Sequence, residues 1–489
     1  MSPLSRLDYV IVGLYLAGML ALGAVISTRV RAFKDYFLAG GALTTPLLVC
    51  TLVSSYYGID VTLGTSETGY YYGVVAWFWY SLPYYFFIAF AALVIAPRLR
   101  RRYGGAMTLP DVLERHYGIE TRVVGAIGCF IYSAPIIAMA GIMTLMEFMG
   151  VPKGWGLAAS IGICAAYTSM GGLWADAISD TVQFVLMCVS LAIAIPLAVN
   201  WVGGWEFVES LPIHSETNAR HHLLHHGGLN VWMLVAWSLT GITILVEPAF
   251  YQRVFAAQDT RSIQRALLVG ILLWASYDWG ATLLGIIARA AVEQGLLEES
   301  LAGKEALLTV CMEMLPTGLR GLMIGGILAA AMSQIDSYSL LASGNVVYDI
   351  YRPVFNRNAS DRELLVLTRL GVFLVMLAAA LMSLMFERMR DAWQFMASVM
   401  AAVVCVPVLA AIFGRPRQAA GFWGATGGLV GIVAFYALLV SLGEWDMDEQ
   451  TYVWRIGDIE IWSDYAVICT LPVSLAAFVL GHFLGGRRR

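Results

Sequence analysis

Apolar residues fill this chain in long runs, broken at a few places by isolated polar groups. A helix of about 20 apolar residues crosses a hydrocarbon core. Thirteen runs meet or approach that length: 9–28, 43–66, 74–97, 121–148, 154–171, 178–201, 229–251, 265–292, 319–345, 363–385, 392–413, 420–442 and 464–485. Short alternating segments, the mark of a membrane β-barrel, do not occur. The pattern predicts an all-α integral membrane protein of about 13 transmembrane helices in one domain, 1–489. The longest segments between spans fall at about 202–228, 293–318 and 443–463; the last is acidic and aromatic and predicts a small hairpin at the membrane surface.

Charge orients the spans. Of 489 residues only 13% are charged, against about a quarter in soluble domains. With the N-terminus outside and the spans alternating, cytoplasmic segments and span ends collect 21 of the 30 Lys and Arg, among them Arg98, Arg100–Arg102, Arg253, Arg261 and Arg487–Arg489. The positive-inside rule then places the N-terminus outside and the C-terminus in the cytoplasm of a plasma (inner) membrane protein. The first apolar run is long and lacks an A-x-A-like cleavage site, so it reads as a span rather than a signal peptide. Seven scattered cysteines form no C-x-x-C pair, which points to inert packing rather than zinc or a disulfide framework. His221/His225 and His222/His226 have the i, i+4 spacing of a metal pair, but no acidic base lies between them; a short amphipathic surface helix is the alternative.

Two runs carry features that interrupt a membrane helix. One has Ser54-Ser55, Gly58 and Asp60; the other has Thr240-Gly241 and then Glu247-Pro248. Pro removes a backbone donor and Gly relaxes the helix, and backbone freed in this way needs a polar or protein-lined environment. Interrupted helices in corresponding halves suggest a secondary transporter with inverted repeats, here two five-span units over 43–201 and 229–413, with an extra helix at 9–28 and two more in 420–485. Asp60, Asp180, Glu247, Asp278 and Asp336 also fall inside or at the edges of apolar runs, and no Lys or Arg is predicted near the midplane. A charge there costs at least ~2.5 kcal/mol, which protonation or a bound cation offsets.

The stretch AAAMSQIDSY (329–338) places Ala330, Ser333, Gln334 and Ser337 at i, i+3, i+4 and i+7, one stripe of a helix, with Asp336 beside it. Hydroxyl and carbonyl oxygens suit a hard cation. The small residues 329–331 admit a close neighbour. An oxygen-lined alkali-ion site against a broken helix and a plain helix–helix hydrogen-bond seam both fit.

Five motifs, in order, resemble the sodium:solute symporter family: YFLAGG (36–41), TLPDVLERHYG (108–118), GGLWADAISDTVQ (171–183), QRVFAAQD (252–259) and AAAMSQIDS (329–337). The resemblance implies a leucine-transporter-like fold with two inverted five-helix repeats. It also implies sodium-coupled uptake of a small organic solute by alternating access, with sodium as coupling ion. The sodium ligands it implies are the carbonyls of Ser54, Tyr57 and Ala330 and the Ser333 hydroxyl. Gln334 stands where the family usually has a second hydroxyl. A further sodium site would use Asp180, Ser333 and Ser337, with Asp336 at another hydroxyl position. Solute contacts would come from Ser55, Tyr56, Gly58 and Asp60 on one broken helix and Thr243, Ile244 and Glu247 on the other. The aromatic run 77–87 would wall the pocket or form an interfacial belt. Asp60 and Glu247 favour an amine or a polyol, while backbone amides at helix ends still admit an acid.

Gln334 keeps a proton-coupled or uncoupled carrier open. A membrane receptor is a second alternative, although no appended signalling domain is expected with the last span running nearly to Arg489. No nucleophile–base pair or metal motif suggests an enzyme, and nothing suggests nucleic acid as a partner.

Overall fold

In the computed structural model, which describes residues 4–26, 32–210, 212–214, 217–218, 231–385, 389–446, 451–457 and 459–485, the chain is almost wholly helical. Among the described residues ten helices are long and apolar enough to cross a membrane. The pair Thr45–Tyr56 and Ile59–Tyr72, bent by 54° at a short break, brings the number to eleven. The two remaining runs of the expected thirteen, 154–171 and 319–345, are also helical, within Lys153–Trp201 and as Leu319–Gly344. The outer faces are apolar: Phe373, Leu377 and Leu381 are exposed while Val372, Met376 and Ala379 are buried. That is the disposition of a helix with lipid on one side and protein on the other.

Helix starts and breaks follow local chemistry. Thr108, Asp259 and Ser360 cap their helices, each accepting the backbone N–H three residues on. Pro248 opens Pro248–Ala256, where its missing donor is of no consequence. The first broken helix stops at Tyr56 because Tyr57 leaves helical geometry, with φ −101° and ψ 60°. The second runs Val231–Thr240, tightens into a 3-10 turn over Gly241–Val246, and resumes at Pro248. The chain segments flanking the two broken helices are stitched together: Leu43 N–H donates to Ala256 O (3.0 Å) and Gln258 N–H to Leu43 O (3.0 Å). Gln252 Nε2 adds a bond to Phe37 O (2.8 Å).

The apolar runs 154–171 and 178–201 form one continuous helical segment, Lys153–Trp201, kinked at Gly172 (φ 53°, ψ −147°). A side chain is strained at that dihedral, and a β-carbon there would overlap Tyr36 O. The kink lets Tyr36, whose hydroxyl donates to Thr168 O (3.2 Å), lie against the bend. The acidic segment near 443–463 forms a three-stranded antiparallel sheet rather than a single hairpin: Glu444–Asp446, Thr451–Ile456 and Ile459–Ile461, with Gly457 (φ 60°) at its turn. Arg455 on the middle strand faces Glu460 at 3.0 Å and Asp446 at 3.3 Å, which draws both edge strands to it.

Gly172→Ala is expected to lose about 3 kcal/mol or more, from dihedral strain plus overlap, read as a lowered thermal midpoint of the detergent-purified protein. Gly162→Ala, in the same segment with no atom within 4 Å of the added carbon, is expected to gain about 0.5–1 kcal/mol.

Candidate functional site

The Lys153–Trp201 and Leu319–Gly344 helices pack against one another and meet in a polar ladder. Asp176 and Asp180 are one turn apart on the first, Ser333 and Ser337 one turn apart on the second. The Ser333 hydroxyl donates to Asp180 Oδ1. The Ser337 hydroxyl contacts both oxygens of Asp176, at 2.9 and 2.8 Å. The broken helix closes the third side: Ser55 Oγ lies 2.7 Å from Ser337 Oγ and 3.3 Å from Asp180 Oδ2. All five side chains are buried.

Two residues of this cluster were not singled out in the sequence, and one corrects it. Arg253, counted there with the cytoplasmic charges, is fully buried and points inward. Its Nη2 reaches Asp176 (3.1 Å), Ser337 (2.6 Å), Ser55 (3.0 Å) and Thr51 (3.0 Å). The expectation of no basic group among the buried acids therefore fails. Pro248–Ala256 is buried along its length, which turns Arg253 away from water. Asp176 was legible as the residue one helical turn before Asp180; its partner was not, because 77 positions separate them. Two carboxylates against one guanidinium leave the cluster one negative charge in excess when both acids are ionised.

The other expected ion ligands distribute unevenly. The first broken helix ends at Tyr56, and the N–H of Tyr57 returns to Val53 O (3.0 Å). The carbonyls of Ser54 and Ser55 thus lie past the end of their own helical ladder. The Ser54 hydroxyl contacts Met187 Sδ (3.8 Å). Ala330 is fully buried. Asp336 takes a different direction from its neighbours, accepting from Thr168 Oγ1 (2.6 Å), with its second oxygen unpartnered. Gln334 turns to the break: its Oε1 has no partner, and a β-carbon on Gly58 would overlap it and lie 2.8 Å from Asp60 Oδ1. Glycine at 58 is what lets these oxygens approach the backbone there.

A cavity of about 130 Å³ adjoins the break, close to the ~150 Å³ of a cavity that binds benzene. Tyr56, Asp60, Ile244, Asp278, Trp274 and Gln334 are among the residues lining it, with Tyr84, Tyr85 and Tyr338. The aromatic run contributes Tyr80, Tyr84 and Tyr85 to this wall rather than only a belt. Asp278 is buried, with Oδ2 accepting from Tyr85 OH (2.7 Å). Glu247 is not among the lining residues. It accepts from Tyr56 OH, from Tyr338 OH (2.9 Å) and from Phe250 N–H (2.7 Å), so it caps the resumed helix and holds two tyrosines in place. The Thr243 hydroxyl donates to Thr240 O (2.8 Å) within its own turn. Ser55 belongs to the polar ladder instead. The paired histidines at 221–226 lie outside the described residues.

Two interrupted helices, a solute-sized cavity beside one break and a buried charged ladder against the same helix define a membrane carrier with a leucine-transporter-like fold. The chain belongs to the sodium:solute symporter family, whose family model matches residues 36–429. It is 26% identical over 389 residues to the osmoregulated proline transporter OpuE of Bacillus subtilis (strain 168), covering 76% of each chain. It is 24% identical over 502 residues to sodium/glucose cotransporter 4 of Danio rerio, covering 91% of this chain and 74% of that one. A solved structure of a Na+-coupled sialic acid symporter, substrate-bound and outward-open, superposes with a TM-score of 0.78 at 16% identity, covering 98% of both chains. The family and these relatives are transporters, not enzymes.

Breaking a buried ion pair by removing one partner costs about 3–5 kcal/mol, whereas replacing both by apolar groups is often neutral. Arg253→Met is therefore expected to lower stability by that amount, and adding Asp176→Leu to recover most of it, by thermal unfolding. A loss in the double variant equal to the sum of the two single-variant losses would show that the two groups are not coupled.

Proposed function

We propose that this symporter couples sodium entry to uptake of a small organic solute through the charged ladder, and that the cavity beside Asp60 holds the solute. One observation carries the reading: Ser55, Asp180, Ser333 and Ser337 converge from three helices on a cluster with more carboxylate than guanidinium. One sodium would take the carbonyls of Ser54, Tyr57 and Ala330 and the Ser333 hydroxyl, with Gln334 at the position of the family's second hydroxyl; a further sodium would use Asp180, Ser333 and Ser337. Such an ion ties the first broken helix to Leu319–Gly344. It shifts the conformational equilibrium only through different affinities in the two states, tenfold corresponding to about 1.4 kcal/mol. Solute then binds at the break, the outer side closes, the inner side opens and both leave.

The two five-helix units 43–201 and 229–413 would supply the moving parts, in a plasma membrane with the N-terminus outside. A proton-coupled carrier is the second reading, favoured by Gln334 at the hydroxyl position and by the unpartnered oxygen of buried Asp336.

Sodium, compared with potassium at equal ionic strength, is expected to raise the thermal midpoint of the purified protein, by as much as about 2.7 kcal/mol of stability at a hundredfold excess over Kd. Ser333→Ala is expected to weaken the sodium response at least tenfold while remaining folded. Gln334→Ser is expected to strengthen it. Unchanged sodium activation of uptake in Ser333→Ala would remove the assigned ion site; uptake that ignores sodium and rises as pH falls would select the proton.

A further inference from the structure

The atoms around the cavity that lack partners describe what belongs in it. Asp60 Oδ1 and Asp278 Oδ1 make no hydrogen bond of standard geometry, although the Gln334 side chain lies beside Asp60 and Ser81 and Thr65 lie beside Asp278. Trp274 Nε1–H has no partner, and the Tyr84 hydroxyl lies beside Thr243. Asp278 is 1% exposed and Gln334 7% exposed, so water does not readily satisfy them, and a buried polar group left unpaired carries a penalty that a ligand can relieve. Among the described residues no Lys, Arg or His lines the cavity. Arg253 is engaged by Asp176 and its hydroxyl neighbours. The first turn of Ile59–Tyr72, where the helix dipole would favour a solute carboxylate, already carries the carboxylate of Asp60. The walls add aromatic faces: Tyr57 stacks on Trp274 at 6.3 Å between centroids, and Tyr56 meets the same indole edge-on at 5.6 Å. Such faces attract cations.

We propose that the solute is a small amine carrying one net positive charge and one neutral acceptor, such as an amide, ester or hydroxyl oxygen, and no acid group. Its ammonium lies against the carboxylate of Asp60 or Asp278. Its acceptor takes the hydrogen bond of Trp274 or Tyr84. A zwitterion of the same size is disfavoured because its carboxylate meets two carboxylates and no counter-charge. A polyol is disfavoured because it leaves both carboxylates without an opposing charge. The cavity volume admits a ring of five or six atoms with a short substituent. This rests on the reading that the cavity is the solute site, and not on sodium being the coupling ion.

Three molecules of nearly equal shape separate the classes: L-prolinamide (cation), L-proline (zwitterion) and cyclopentanecarboxamide (neutral). Each is titrated in a thermal-shift assay of the full-length, detergent-purified protein at about pH 6.5, where the amine is protonated, with sodium or potassium as the salt. L-prolinamide is expected to bind at least tenfold more tightly than either of the others. Asp60→Asn is expected to abolish that preference, and Asp278→Asn to weaken it, so that one variant remains informative if the other does not fold. L-proline or cyclopentanecarboxamide matching L-prolinamide, or no shift with any of the three, would overturn the proposal. Sodium-dependent binding of L-proline alone would leave the coupling reading standing and end this one. Preferential binding of L-prolinamide that is the same in potassium would do the reverse.

Discussion

The structure depends on how two carboxylates one helical turn apart are tolerated away from water. Asp176 and Asp180 repel each other at low dielectric, and isolated they would be expelled or neutralised. Arg253 answers one of them, and the hydroxyls of Ser55, Ser333 and Ser337 supply hydrogen bonds to both. Because these donors come from three helices, the arrangement links those helices by charge as well as by packing. With both acids ionised it also leaves the cluster one negative charge in excess.

The buried acids divide by what already holds them. Glu247 accepts three hydrogen bonds and completes a helix start, so its burial is a structural arrangement finished within the chain. Asp60 and Asp278 instead lie at the cavity wall, each with one oxygen outside standard hydrogen-bond geometry. Glu247 and Asp60 are both placed at helix breaks, yet only Asp60 faces the cavity; Tyr56 and Tyr338 hold Glu247.

Gln334 joins the two regions. It belongs to the stripe that carries Ser333 and Ser337, yet its longer side chain reaches across to Gly58 and Asp60 at the cavity. A serine at this position would be too short to reach the cavity wall from that stripe.

Much of the fold was legible in the chain itself. Apolar runs of membrane length, Gly and Pro at two breaks, and Ser333 and Ser337 on one helical stripe follow from local spacing, because helix periodicity and hydrocarbon thickness act on neighbouring residues. The motif YFLAGG held Phe37, whose carbonyl accepts from Gln252, and GGLWADAISDTVQ held both acids of the ladder. What the sequence could not say is which way a polar side chain turns once helices far apart in the chain are packed. Arg253 read as a cytoplasmic charge and proved to be the counter-ion of Asp176; Asp336 read as standing beside the ion stripe and turned to Thr168; Glu247 read as a solute contact and holds Tyr56 and Tyr338. Each of these partners is tens to hundreds of residues distant, and only tertiary packing decides such pairings.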